Sequence, residues 1–230
     1  MPLRIGIVAC SAEGAALCYR TLCAEAPGLA GRPYAHPDIL LHGHSLADYV
    51  QRLQADDIDG LGALMLSSAH HLAEAGAEFL ICPDNTIHQA LPHIEARSPL
   101  PWLHIADEVA RHAAQQGLRR VAVMGTRWLT ESEVYPTALS ARGLQCVRPD
   151  ADTRATIDRI IMDELVKGVQ RSSSIDRLCK IAAQFRLDGC DGIALACTEL
   201  PLVLDDTNCG MPTLDSTRLL ARAALRRAYR

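Results

Sequence analysis

Two passages of this chain each have a counterpart of the same pattern further along. Residues 3–11 read LRIGIVACS and residues 118–126 read LRRVAVMGT; residues 76–86 read GAEFLICPDNT and residues 189–199 read GCDGIALACTE. The first pair is offset by 115 residues, Leu3 to Leu118, and the second by 113, Gly76 to Gly189. Buried parallel strands resemble one another in composition, but two of them recurring in one order at nearly one spacing favour a duplicated unit. Each half opens with an apolar strand that ends in a small-residue turn and a hydroxyl, Cys10-Ser11 in one and Gly125-Thr126 in the other. Each half then carries a glycine, a second apolar strand and a polar triplet, Asp84-Asn85-Thr86 and Cys197-Thr198-Glu199.

The pattern around these strands predicts an α/β fold with mainly parallel strands. Strands are expected over 4–10, 38–45, 77–85, 118–126 and 191–199. Helices are expected over 12–26, 46–53, 59–76, 105–117, 156–169, 174–189 and in the final segment from 216. Apolar runs of five to seven residues alternating with helical spacing are the mark of parallel sheets. The expected lobes are 1–112, with the helix 215–230 packing back on it, and 113–214. In open α/β sheets a ligand sits beyond the carboxyl ends of the strands. Two such units related by a pseudo-twofold axis would enclose one cleft. Asp84 and Cys197, equivalent under the repeat, would then face each other across a bound molecule.

Other functions are excluded by what is missing. The net charge of −4 and the lack of a basic stripe argue against nucleic acid. No apolar segment approaches the roughly 20 residues of a membrane helix, and no secretory leader is visible. The nine cysteines are irregularly spaced with no C-x-x-C pair, which predicts free thiols in a reducing, cytoplasmic setting. Neither G-x-S-x-G nor G-x-G-x-x-G nor a P-loop is present. His42-x-His44 and His70-His71 lack carboxylates at a useful spacing, and adjacent helical residues point about 100° apart, so no metal is expected. Of the 23 lysines and arginines only Lys167 and Lys180 are lysines, and neither lies in a strand-end loop. A pyridoxal phosphate Schiff base therefore has no obvious anchor, and no cofactor is expected.

Two proton-handling groups on opposite sides of one carbon can invert it: one removes a proton from one face and the other returns a proton to the opposite face. Asp84 and Cys197 suit that role once their environments tune them. Without a cofactor as electron sink, hydrogen bonds to the substrate carboxylate must lower the barrier. Ser11, Asn85, Thr86, Thr126 and Thr198 are the expected donors.

These residues carry a resemblance. ACTELPLVL (196–204) resembles the second cysteine motif of the aspartate/glutamate racemase family, G-C-T-E/H-x-P-L. PDNTIH (83–88) resembles its first motif, P-C-N-T-x-H, and HGHSLADYV, LHIADEVA, VAVMGTRWLTESEVYP, IIMDELVKG and LDSTRLLARAA follow in family order. The resemblance implies two flavodoxin-like units, cofactor-independent inversion of the α-carbon of an acidic amino acid, a small-molecule substrate and a homodimer. It implies Cys197 as one acid/base residue. The first cysteine is replaced by Asp84.

Three readings of that replacement stand. Asp84 is the working base of its face; or the chain is a one-cysteine relative acting as decarboxylase or cis–trans isomerase on a dicarboxylate; or it binds a ligand without turnover. Cys82 lies roughly 6–7 Å further back along the strand and reads as a core thiol. The region 41–49 supplies a substrate-binding arginine in some relatives but holds His42, His44 and Ser45 here, and the family's closing histidine is replaced within Leu219-Leu220. Lys167, with Arg127 and Arg154, is the cationic candidate for a substrate carboxylate. Each also fits a solvated surface charge.

Overall fold

The computed structural model describes residues 1–230. The chain divides into two compact units, Met1–Glu108 with Thr217–Arg230, and Val109–Ser216. The first unit holds β1 (Ile5–Ala9), β2 (Ile39–Gly43), β3 (Phe79–Ile81) and β4 (Trp102–Leu103) in the order β2-β1-β3-β4. The second holds β5 (Arg120–Met124), β6 (Gln145–Val147), β7 (Gly192–Leu195) and β8 (Thr213–Asp215) in the order β6-β5-β7-β8. The two orders are the same once the second set is renumbered. Every pairing is parallel. The α/β class and the duplication expected from the sequence are both present.

The central strands form where helices cover both faces of the sheet. All five residues of β1 are buried, and β5 is buried after Arg120. A continuous apolar run, rather than an alternating one, is what a doubly covered parallel strand requires. Gly6 lets β1 and β3 close up: a Cβ there would stand 2.7 Å from Leu80 Cδ2 and 3.0 Å from Ala77 Cβ. The edge strand β2 is only partly buried.

The helix Ser216–Ala228 returns to the first unit. Leu220, Ala221, Ala224 and Leu225 join Ile5, Ile7, Leu22, Phe79 and Ile81 in one core. Burying Leu220 and Leu225 contributes about 1.5–3 kcal/mol each. The part-exposed Arg222–Glu25 pair beside them, Nε to Oε2 at 2.8 Å, adds about 1 kcal/mol at most. The apolar face therefore holds this helix, helped by the Leu3 amide donating to the Ala228 carbonyl at 2.9 Å. The second unit has its own core of Met124, Ile157, Ile161, Leu178, Phe185, Ile193 and Leu195.

Several elements depart from the sequence reading. The strand expected over 77–85 pairs only at Phe79–Ile81, because Pro83 lacks an amide hydrogen and Asp84 turns the chain. The helix expected over 12–26 continues through Pro27 to a left-handed Gly31. The helix expected over 156–169 begins at Ala151, where the Asp150 side chain accepts from Thr153 N, and gives way to a tight turn at Leu165–Lys167. Strands β4, β6 and β8 have two or three residues each, too short to show a period. No helix is long and apolar enough to cross a membrane.

Candidate active site

In each unit a long buried run opens at one side chain. Residues 79–88 are all buried except Asp84, and residues 192–200 are all buried except Cys197. Both lie just past the carboxyl end of a central strand, where ligands of such sheets sit. They are the two positions that the sequence repeat makes equivalent.

In the first unit the register of β1 and β3 pairs Ile7 with Ile81. Ser11 follows the end of β1, and Asp84 follows the end of β3. Asp84 Oδ1 accepts from Thr86 N at 3.0 Å and from Ile87 N at 3.2 Å, which caps the turn Thr86–Ala90 and fixes the carboxylate. Asn85 and Thr86 are buried behind it. The Ser11 hydroxyl accepts from Gly14 N at 3.1 Å and caps the helix Ala12–Ala30. Its hydrogen stays available to an acceptor.

In the second unit Met124 pairs with Leu195, and the Ala196 amide donates to the Met124 carbonyl at 2.8 Å, just before Cys197. Thr126 repeats the Ser11 device: its hydroxyl accepts from Leu129 N at 3.4 Å and caps the helix Arg127–Glu131. Gly125 between them lies against the next loop, since a Cβ there would meet the Ala196 carbonyl oxygen at 2.9 Å. Cys197 Sγ donates to Glu199 Oε2 at 2.9 Å, and Thr198 Oγ1 donates to the same oxygen at 2.8 Å. Thr198, expected as a donor to substrate, thus directs its hydroxyl hydrogen to Glu199. Glu199 is 4% exposed, and it is the residue that the sequence reading left out of the site. Its place in the repeated triplet was the available signal.

The expected residues therefore gather in two sets, Ser11, Asp84, Asn85 and Thr86 in one unit and Thr126, Cys197 and Thr198 in the other. Lys167 lies on a separate turn, its Nζ 3.6 Å from Asp163 and its side chain 62% exposed. Arg127 and Arg154 both approach Glu131, at 3.9 and 3.0 Å. Each cationic candidate thus already has a carboxylate neighbour. The segment 41–49 runs from the end of β2 through Ser45 into the helix Leu46–Gln54, and in it His42 Nδ1 lies 3.0 Å from Ser68 Oγ and its ring stacks on His71 at 4.5 Å. No group of three or more His, Cys, Asp or Glu side chains is arranged to hold a metal ion.

The floor under Asp84 is sensitive to acid. His88 is fully buried, and its Nε2 lies 3.0 Å from the Cys82 carbonyl, so that nitrogen carries the hydrogen and donates. Its Nδ1 is buried with no partner, and the His104 ring stands 4.6 Å away edge to face. Burial, then His104, pushes the His88 pKa well down, and burial also lowers His104. Both rings are held neutral in the fold, whereas the unfolded chain takes up their protons as pH falls through about 6.5. Stability contributed by the neutral form is therefore complete above that pH and is lost as pH falls below it. The expected loss approaches about 1.4 kcal/mol per pH unit for each such histidine. Urea midpoints measured from neutral to mildly acid pH should fall, and fall less steeply in His88→Gln. A slope unchanged by that substitution would assign the acid sensitivity elsewhere.

Comparisons with known proteins bear on the family and the fold. The family model described as Asp/Glu/Hydantoin racemase matches residues 5–224. The broad specificity amino-acid racemase RacX of Bacillus subtilis is 24% identical over 191 residues, 83% of this chain and 81% of that protein. A crystal structure of a candidate Asp/Glu racemase from Yersinia pestis superposes with a TM-score of 0.91 at 29% identity, over all of both chains. An aspartate racemase homologue from Pyrococcus horikoshii OT3 has the same fold, with a TM-score of 0.85 at 23% identity and full coverage of both chains. With its family model covering residues 5–224, the chain belongs to the Asp/Glu/Hydantoin racemase family and thus to the amino-acid racemase type of isomerase.

Proposed function

We propose that the protein racemises or epimerises an acidic amino acid, aspartate or glutamate, without a cofactor, using Asp84 and Cys197 as acid/base groups for the two faces of the α-carbon. The observation that carries this reading is the pair of repeat-equivalent openings: one carboxylate and one thiol, each the only half-buried residue in an otherwise buried run. A group that begins a turnover deprotonated takes the α-proton. The other begins protonated and returns a proton to the opposite face. Each turnover leaves the two protonation states exchanged, which is the form the opposite enantiomer uses, and proton exchange with solvent restores the first form.

Ser11, Asn85, Thr86 and Thr126 are the proposed cradle of the α-carboxylate, where charge accumulates as the α-proton leaves, while Thr198 supports the site through Glu199. Lys167 is the proposed counter-ion for the side-chain carboxylate, which would compete with Asp163 for it. The Cys197–Glu199 hydrogen bond gives the thiol a fixed direction and a carboxylate to exchange its proton with. A reducing, cytoplasmic setting is supported by nine free cysteines, and a homodimer is part of the same proposal from the family resemblance.

The test is incubation of single enantiomers of aspartate and glutamate in heavy water, with no pyridoxal phosphate. Inverted product carrying α-deuterium is expected. The absence of both exchange and inversion with either amino acid would remove this substrate class. Because RacX is named for broad specificity, a panel of neutral amino acids belongs in the same assay. Asp84 itself favours one second reading, a one-cysteine enzyme acting on a dicarboxylate without an amino group. Turnover of malonate- or maleate-like acids by a protein inert to amino acids would select it.

A further inference from the structure

The turn that carries Lys167 is built around a buried acid. Glu164 follows the helix Ala151–Asp163, and its side chain is only 7% exposed. Its Oε1 lies 3.6 Å from Nη1 of Arg171, whose own side chain is 66% exposed, and its Oε2 is buried without a hydrogen-bond partner. A carboxylate taken out of water with one oxygen unpaired is destabilising, and an apolar side chain would be better tolerated in the same space. Stability alone gives no reason for an acid here.

The segment lies where a ligand would meet it. The helix Ser172–Leu187 ends beside the amino end of β5: Cys190 N donates to Phe185 O at 2.9 Å, and Asp191 N donates to Arg120 O at 3.0 Å. Its Leu178, Ile181 and Phe185 share one core with Ile193 and Leu195 of β7. Its 16 residues rise about 24 Å, more than the 5 residues of β5 span. The start of that helix, with the segment 164–171 before it, therefore lies at the carboxyl end of the second sheet. Leu165 agrees with this placement, since it shares the core with Leu200, Leu204 and the half-buried Cys197. The chain folds back on itself there: the Glu164 carbonyl accepts from Lys167 N at 3.0 Å and from Val169 N at 2.9 Å, and Gly168 between them takes a left-handed φ of 72°. Lys167 is thus presented between Val166 and Val169, both exposed. A cation flanked by two apolar side chains suits a substrate side chain of methylenes ending in a carboxylate.

We propose that Glu164, through Arg171, is the positioning residue of the element that reads the substrate's side chain, a clasp that holds the turn closed so that Lys167 stands ready for a carboxylate. Its functional half rests on the reading of Lys167 above. The ion pair joins the two ends of the turn, because Arg171 directly precedes the helix Ser172–Leu187 and its carbonyl accepts from Ser174 N and Ile175 N, each at 3.0 Å. Glu164 thus grips the near end with its carbonyl and the far end with its carboxylate. The exposed Asp163, 3.6 Å from Lys167 Nζ, keeps the ammonium in place until a substrate carboxylate displaces it.

Two measurements decide it. The first needs no substrate: amide hydrogen exchange at Lys167 and Val169, followed by NMR in wild type, Arg171→Gln, Glu164→Gln and the double variant. Arg171 is exposed, so its substitution spares the core and carries the test alone should Glu164→Gln fail to fold. Exchange should quicken about tenfold in each single variant and no further in the double, since both remove one pair. Exchange unmoved in Arg171→Gln, or effects that add in the double, overturns the clasp. The second is steady-state kinetics on glutamate. Arg171→Gln should raise KM about tenfold with kcat kept, and should add nothing in a Lys167→Met background. An unmoved KM, or the same tenfold rise in the Lys167→Met background, makes the pair a support of the fold only and defeats the functional half. A wild type inert to aspartate and glutamate would defeat the racemase reading, and the functional half with it, while exchange still decides the clasp.

Discussion

Cys197→Ser protein is expected to racemise about a hundred- to ten-thousand-fold more slowly than wild type, the usual span for losing one acid/base group. The substitution is chosen to spare the architecture. A serine hydroxyl can still donate to Glu199, so the buried carboxylate keeps the hydrogen bond it now accepts at 2.9 Å. Thr198 continues to donate to the same oxygen. What serine lacks is acidity: an alcohol does not ionise in the range where a thiol near 8.5 does. Ligand affinity should therefore be nearly retained while turnover collapses. Polarimetric racemisation and binding calorimetry on the same preparations separate the two. A serine variant that binds as well as wild type, beside a wild type that turns nothing over, would make the protein a binding module.

Asp84→Asn is expected to cost racemisation a comparable factor, about a hundred- to ten-thousand-fold in both directions, if each turnover uses both groups as proposed. The asparagine oxygen can accept from Thr86 N and Ile87 N as Asp84 Oδ1 does now, so the cap of the turn Thr86–Ala90 survives. The informative readout is exchange without inversion. Cys197 should still wash the α-proton out of the one enantiomer that presents it, so deuterium enters that enantiomer and stays there. Asp84→Cys should be more active than Asp84→Asn, because it returns a titratable group to the same position. Should Asp84→Asn racemise at the wild-type rate, the aspartate is only a helix cap and Cys197 has another partner.

How much of this was legible beforehand depended on where each interaction is encoded. β1 and β5 are read easily because burial on both faces demands an unbroken apolar run. β4, at Trp102–Leu103, carries no such signal and exists because β3 offers it an edge. The openings at Asp84 and Cys197 were visible as polar residues that end a strand. Glu199 was visible but ambiguous, since a carboxylate after Thr198 could as readily face solvent as the 4% exposure it has. Cys10 ends an apolar run and is 6% exposed in the fold, as a core thiol would be.

The return of the helix Ser216–Ala228 to the first core has a consequence for biosynthesis. Domains generally fold as units while the ribosome is still working, the earlier-made one first. Here the segment 109–216 is continuous and can collapse as soon as it emerges, whereas the earlier-made 1–108 waits, with Ile5, Ile7 and Phe79 lacking their lid, until Leu220 and Leu225 have been translated. The nascent chain is thus finished out of order, and its opening strands are the ones that a chaperone would have longest to find.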